Sequence, residues 1–417
     1  MNNFLNKRIL RVDSIKLIKI PDSVLPEVVL IRDVNKHLLR GHRWIFADCF
    51  DQSKVQSGLS LLKSRNETIA IGLVQADTQL RFRVLTLTEE PFINLKNISQ
   101  GLYMWSEIQF KKALELRSLA RTDDTNSFRL ISGEGDGLPG LIIDVYDDTA
   151  VIKHDHPVCE RFYNHEGIAQ YLSEKMPFIK NVYYKKKNDE EVKGQDILGK
   201  LREEVQFKEN GARFASNIKD AAKTGFFLDQ RDNRKLISLF TKDKSVLNLF
   251  SYTGGFSIFA ALGGAREVTS VDIAKAAILA SERNFEINQL KTKHHAIAAD
   301  AFAYIDEQIK NKNKWDLVIT DPPSFAPNQK AVESATVAYT KVFLNSLKLV
   351  KPGGMFAASS CSSHISSELF LDICRDAFSK TRKKGTLVYL GGQPYDHPYP
   401  LAMEELRYLK FALFRLD

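Results

Sequence analysis

From Lys244 onward the chain alternates short apolar runs with amphipathic stretches, and that alternation limits the possible fold more than any other feature. SVLNLF, EVTSVDI, HAIAAD, WDLVITD and GMFAASSC are each followed by a segment whose apolar residues recur every three or four positions. Strands joined through helices run parallel, and a parallel sheet has helices over both faces. The finish differs. TLVYLGG and RYLKFALFRL are joined by a Pro-rich loop with no helix between them, so these two strands are expected to be antiparallel. The fold class is therefore α/β, with a Rossmann-like seven-stranded sheet and an antiparallel last strand.

The upstream half follows other rules. Between about Val28 and Leu87 the apolar runs VVLI, TIAIGLV and RFRVLTL are separated by Gly and polar turns, the pattern of a small β-barrel. A helical stretch from Val34 to Leu39 interrupts it and leads into RGHRWIF. Ser106 to Arg121 has helical spacing and ends at TDDTNS. Arg129 to Glu209 mixes the strands LIIDVY, AVIKHD and NVYYKK with a helix near Phe162 to Lys175. The charged run KKKNDEEVKGQD within it reads as a solvated loop. These patterns divide the chain into a barrel at 24–92, a small central α/β domain at 104–210 and the parallel-sheet domain at 211–417.

A single small domain is excluded by 417 residues, and disorder by a composition 44% hydrophobic and 26% charged. The formal charge of +8 is uneven: residues 1–90 carry 14 bases and 10 acids, 91–210 carry 17 and 20, and 211–417 carry 28 and 21. Basic outer segments around an acidic middle suit a polyanion gripped at both ends. Solubility alone accounts for the charge equally well. Cys49, Cys159, Cys361 and Cys374 form no CxxC pair and no disulfide framework, which points to a reducing cytosol and no metal site. The N-terminus lacks a signal-like apolar core and no apolar run reaches 18 residues, so a cytoplasmic protein without a membrane partner is expected.

Two Gly-rich segments compete as ligand loops. GEGDGLPG at 133–140 lies between two strand-like runs and no helix follows, so it reads as a hairpin turn. LNLFSYTGGF at 247–256 has strand, tight turn and helix in the right order. There Phe250, Ser251, Tyr252, Thr253, Gly254 and Gly255 form a candidate cradle, the glycines letting backbone approach a ligand and the helix supplying free amides. Asp272 ends the next strand, where a carboxylate can take two ribose hydroxyls. Asp300 ends the third, placed to accept from an adenine amine. The fourth strand ends in Asp321, Pro322, Pro323, Ser324 and Phe325, whose prolines stiffen the exit and hold the acid beside a cofactor. In KTGFFLDQRDNR, Gln230 and Arg231 would lie over the loop, or the segment is simply an entry helix.

Ser359, Ser360, Cys361, Ser362 and Ser363 close the fifth strand. Carbon 5 of a pyrimidine accepts a methyl only after a thiolate adds at carbon 6, which needs one Cys beside the methyl donor and a proton donor for the ring nitrogen. Cys361 and Asp321 end neighbouring strands and supply both. Four flanking serines suggest polar surroundings that favour the thiolate. Cys374 and Cys49 fit the buried state common to lone cysteines.

Together RGHRWIF, ISGEGDGLPGLIIDVY, KTGFFLDQRDNR, NLFSYTGGFSIFAALGGAREVTSVD, DPPSF and SCS resemble the bacterial RlmI-type 23S ribosomal RNA cytosine-5 methyltransferases over nearly the whole chain. The resemblance implies an N-terminal PUA domain, a central α/β domain and a class I methyltransferase domain that uses S-adenosylmethionine. It implies Cys361 as nucleophile, Asp321 as base-orienting acid, and Gln230, Arg231, Tyr252, Asp272 and Asp300 as cofactor contacts. Pro322, Pro323, Phe325 and Arg43 become candidates for substrate contact, with 23S ribosomal RNA or the large ribosomal subunit as partner and a homodimer as a possible assembly. Where relatives commonly read SCSG this chain has SCSS, and no second Cys stands beside DPPS, so the base that removes the carbon 5 proton is unassigned. A guanine or adenine RNA methyltransferase of the same fold, which needs no thiol, and a noncatalytic RNA-binding assembly factor are the competing readings.

Overall fold

The computed structural model describes residues 15–51, 55–186 and 194–417. They pack into two compact units. The first takes the described residues up to Leu119, Phe128–Glu203 and Pro400–Ala402, and the second Ala120–Ser127, Glu204–Tyr399 and Met403–Asp417.

In the first unit β1 (Glu27–Leu30), α1 (Asn35–Leu39), β2 (Trp44–Phe46), β3 (Gly58–Ser64), β4 (Glu67–Val74) and β5 (Leu80–Leu87) form a five-stranded sheet ordered β1-β3-β4-β5-β2. Only β1 and β3 pair in parallel. Val28, Ile45, Leu62, Val74 and Phe82 fill its core. Next, α2 (Ile98–Leu116) starts well before the expected Ser106, because Asn97 caps it by accepting the Gln100 amide. A second sheet, ordered β10-β9-β8-β7-β6, contains β6 (Ser127–Ser132), β7 (Leu141–Tyr146), β8 (Thr149–His154), β9 (Asn181–Lys185) and β10 (Gly194–Leu198). The single helix expected near Phe162 is two, α3 (Pro157–Phe162) and α4 (His165–Lys175), separated where Tyr163 and Asn164 turn extended. The charged run KKKNDEEVKGQD is not loop throughout as expected: Lys185 ends β9 and is buried, Gly194–Asp196 begin β10, and residues 187–193 lie outside the described ones.

GEGDGLPG makes one tight helical turn between β6 and β7, as its context predicted, and its acids are occupied. Glu134 accepts from Trp44 Nε1 at 2.7 Å and pairs with buried Arg83, whose guanidinium lies 5.6 Å from the Trp44 ring. Asp136 takes Arg117 through two bonds of 2.5 and 2.7 Å and the Ser132 amide at 2.6 Å. The motif thus ties its own turn to RGHRWIF. Arg43 of that segment also belongs to this unit; its carbonyl accepts the Val84 amide.

The second unit opens with a hairpin of β11 (Val205–Glu209) and β12 (Ala212–Ser216), then α5 (Arg231–Ser238). After it come β13 (Ser245–Leu249), α6 (Gly255–Leu262), β14 (Glu267–Asp272), α7 (Lys275–Ile287), β15 (Lys293–Ala298), α8 (Ala301–Lys310) and β16 (Trp315–Thr320). The chain continues through α9 (Val332–Lys348), β17 (Val350–Ser360), α10 (Ser367–Thr381), β18 (Gly385–Gly391) and β19 (Lys410–Leu416). The seven strands are ordered β15-β14-β13-β16-β17-β19-β18. The first five are parallel, and β19 is antiparallel to both its neighbours, as the helix-free Pro-rich connection required. Leu247, Leu249, Val318, Phe343 and Phe356 bury the helices of one face against the sheet. Strand order reverses between β13 and β16, so the carboxyl ends of β13, β14, β16 and β17 open on one crevice. Among the described residues no helix is long and apolar enough to cross a membrane, and no cluster of His, Cys, Asp or Glu is arranged to hold a metal.

Candidate active site

A cavity of about 440 Å³ occupies that crevice, within the usual range for small-ligand sites. Its walls are mostly aromatic and apolar, and the polar groups come from strand ends. After β13 the loop turns sharply, with Phe250 at φ 59° and Tyr252 at φ 48°, a left-handed backbone that side-chain-bearing residues rarely adopt. Asp272 at the end of β14 supports this strain, since one oxygen accepts the Tyr252 amide at 2.8 Å and the other the Ala274 amide at 2.9 Å. Asp300 caps α8 by accepting the Ala303 amide at 2.9 Å. Each carboxylate is oriented by backbone and still borders the cavity.

Gly254 and Gly255 serve the chain itself first. Gly254 stands at φ +81°, and a Cβ there would lie 2.3 Å from Ser281 Oγ. A Cβ on Gly255 would lie 2.9 Å from Arg234 Cδ. Close backbone packing, more than ligand approach, therefore accounts for the pair. Ser251 borders the cavity with its buried hydroxyl lacking a hydrogen-bond partner, and the Thr253 hydroxyl is likewise buried and unpartnered. Buried polar atoms are ordinarily satisfied, so an orphan on the wall of a cavity marks a place for a ligand.

On the other flank, Asp321 follows β16 and accepts from Gln230 Nε2 at 3.1 Å, while the same nitrogen donates to Ser359 Oγ at 2.9 Å. Burial, with the Asp229 charge adding to it, pushes the Asp321 carboxyl up to about 6 against the hydrogen bonds that favour its ionised form. Cys361 follows β17. Burial and the Asp321 and Asp229 charges push its thiol up to about 11, although Lys223 and Lys410 oppose them. The expectation of a thiolate favoured by flanking serines is thus reversed for the resting protein. Ser362 is engaged elsewhere: it is fully buried, bonded to Tyr339 Oη at 2.8 Å and Ser324 Oγ at 2.9 Å, and knots the SCS turn to the DPPS exit. Ser363 adopts no left-handed backbone, so SCSS is accommodated without glycine.

The cavity gathers Gln230, Phe250, Ser251, Tyr252, Gly255, Asp272, Asp300, Asp321, Pro322, Pro323, Phe325 and Cys361. Thr253, Gly254 and Arg231 are not on its walls. Arg231 points away to buried Asp396 through bonds of 2.8 and 3.2 Å, and His397, 3.0 Å from the same carboxylate, together with Arg231 holds that carboxyl far below the usual range against the effect of burial. Cys374 is buried in the α9 and α10 core as expected, whereas Cys49 is half-exposed. Two functional candidates escaped the sequence reading. Asp229 lines the cavity and accepts from Tyr408 Oη at 2.7 Å. Lys410 of β19 lies beside Cys361. Asp229 and Gln230 share one helical turn, Leu228–Gln230, too short to carry a periodic pattern in the sequence.

An apolar cavity with strand-end carboxylates, an orphaned hydroxyl and this sheet order fits S-adenosylmethionine, whose nucleoside and amino-acid ends need those acceptors and donors. Residues 181–383 match the profile of the family described as S-adenosylmethionine-dependent methyltransferase, and the chain is an enzyme of that class. It is 32% identical to a ribosomal RNA large subunit methyltransferase of Deinococcus radiodurans over 400 residues, 91% of this chain and 95% of the relative. It is equally 32% identical to ribosomal RNA large subunit methyltransferase I of Tolumonas auensis, over 93% of this chain and 98% of that one. The chain belongs to the ribosomal RNA large subunit methyltransferase I family. Its fold matches a putative S-adenosylmethionine-dependent methyltransferase from Streptococcus mutans with a TM-score of 0.80 at 24% identity, covering 94% of this chain and all of that one. A second structure, complexed with SAH, matches at 0.81 with the same identity and coverage.

Proposed function

We propose that this enzyme methylates carbon 5 of a cytosine in large-subunit (23S) ribosomal RNA, with Cys361 as the nucleophile. The observation that carries the reading is that Cys361 and Asp321, from adjacent strands β17 and β16, border one cavity with Asp272 and Asp300. The names of the relatives supply the RNA, and the thiol supplies the choice of base. When bound, S-adenosylmethionine offers an electrophilic methyl group. Tyr252, Ser251, Asp272 and Asp300 hold its nucleoside end, and the target cytosine, swung out of its stack, lies against Pro322, Pro323 and Phe325.

The raised carboxyl and the raised thiol make a balanced pair. The thiol proton passes to the Asp321 carboxylate and from there to the ring nitrogen at position 3, while the sulfur electron pair forms the bond to carbon 6. Once carbon 5 carries the methyl group its proton leaves to a water molecule, and the electrons of that C–H bond form the carbon 5–carbon 6 double bond. The carbon 6–sulfur bond breaks with its pair going to Cys361, and ring nitrogen 3 returns its proton through Asp321 to the thiolate. Gln230 keeps Asp321 aimed. The five-stranded sheet of the first unit acts as a PUA-like RNA-binding barrel to which Arg43 contributes, and the enzyme works in the cytoplasm, as a monomer or a homodimer.

Incubating the protein with methyl-labelled cofactor and ribosomal RNA and digesting to nucleosides tests this. Label in 5-methylcytidine that is lost in Cys361→Ala supports the reading. Label in guanosine or adenosine, or full activity of Cys361→Ala, overturns it. Cofactor uptake without methyl transfer to any RNA leaves a binding factor.

A further inference from the structure

We propose that Lys410 makes Cys361 a nucleophile: its ammonium, fixed between two backbone carbonyls on the neighbouring strand, is the cation beside which the thiolate forms. The inference rests on the reading of Cys361 above. In register, Lys410 of β19 lies opposite Ser360 of β17, the residue before Cys361. Its Nζ donates to the Ser362 carbonyl at 2.6 Å and the Tyr408 carbonyl at 2.8 Å, so the carbonyls on both sides of the site hold it in place. The side chain is 3% exposed, and among the described residues it has no carboxylate partner in ion-pair range. A buried lysine without a counter-ion is costly, and a negative charge that forms beside it during function offsets that cost.

The charges facing the pair are few. Asp321 and Asp229 face Cys361 and oppose its ionisation, whereas Lys223 and Lys410 favour it. Arg407 faces Lys410 and joins burial in lowering it to about 8. Tyr339 faces Cys361 from α9, with its hydroxyl on Ser362. Protonation of Asp321 by the thiol removes one opposing charge, and Lys410 then stabilises the sulfur electron pair until it enters the ring. Lys410 gives up no proton, so the balance of the addition step is unchanged. It acts through Cys361 and is a positioning residue.

The test is alkylation of Cys361 by iodoacetamide in a Cys49→Ser background, since Cys159 and Cys374 are buried. Adduct formation at Cys361 is followed by peptide mass spectrometry from pH 6 to 10. With Lys410 in place the rate should climb with pH and flatten above about 8, where the ammonium loses its charge and proton loss no longer raises the thiolate fraction. Lys410→Gln, which keeps N–H donors for the carbonyls, should slow alkylation about 10-fold at pH 7.5 and abolish the flattening; Lys410→Arg should restore most of the rate. An unflattened native profile overturns the proposal without any variant, as does a Lys410→Gln profile equal to the native one. Failure of the nucleophile reading shows separately, as RNA methylation surviving Cys361→Ala.

Discussion

The first unit's GEGD turn and the second unit's FSYTGG loop with Asp272 are built from the same materials, glycines beside carboxylates at the ends of strands. In the first, Glu134 and Asp136 are each matched to a buried arginine. In the second, Asp272 and Asp300 receive only backbone amides and border a cavity. An acid neutralised by a side chain of its own chain holds a fold together. One merely oriented by amides retains acceptor capacity for something else. The distinction is one of partners, and it separates a structural turn from a binding loop.

Substitutions should break the comparison cleanly. Arg83→Met leaves Glu134 buried without its cation and should cost about 3–5 kcal/mol in urea unfolding, with S-adenosylmethionine affinity by calorimetry unchanged. Asp272→Asn turns an amide donor toward one of the two backbone amides, so it should cost less, about 1–2 kcal/mol, while weakening cofactor binding roughly 10- to 100-fold. If Asp272→Asn proves the more destabilising of the two, the assignment of roles is wrong.

Protons sharpen the same contrast. In the first unit His154 is stacked on Tyr163, lies 2.8 Å from His165 Nε2 and is lowered by burial to about 3. Its folded value lies below its unfolded one, so the stability it contributes is complete above pH 6.5 and lost as pH falls. Stability should drop by up to about 1.4 kcal/mol per pH unit below 6.5, and His154→Gln should flatten that slope. In the second unit the expected effect is on rate. kcat/KM for RNA should rise through about pH 6 as Asp321 ionises to receive the thiol proton, and fall above about 8 as Lys410 loses its charge. A rate independent of pH between 5 and 7 would remove Asp321 from the proton path.

Much of the site was legible because parallel strands share an edge. Asp272, Asp321 and Cys361 each close a predicted strand or follow it, and once the strands are parallel their ends meet. Asp300 follows from the same rule, displaced into the cap of α8. Asp229 and Lys410 were not legible, since one faces the cavity from a single helical turn and the other through antiparallel register with Ser360. Arg231 lies off the cavity wall for a related reason. Its partner Asp396 is distant in sequence, in the Pro-rich loop, and no local pattern announces that pairing.

What the sequence determined alone is the order of strands and helices, the antiparallel finish and the residue types at each strand end, because periodicity and turn chemistry are local properties of the chain. Only the tertiary structure decided which charges find a partner. Arg231 turns to Asp396, Glu134 to Arg83, and Lys410 to two carbonyls beside a protonated Cys361. Charge pairing and desolvation depend on neighbours brought together from distant parts of the chain, and those neighbours exist only after folding.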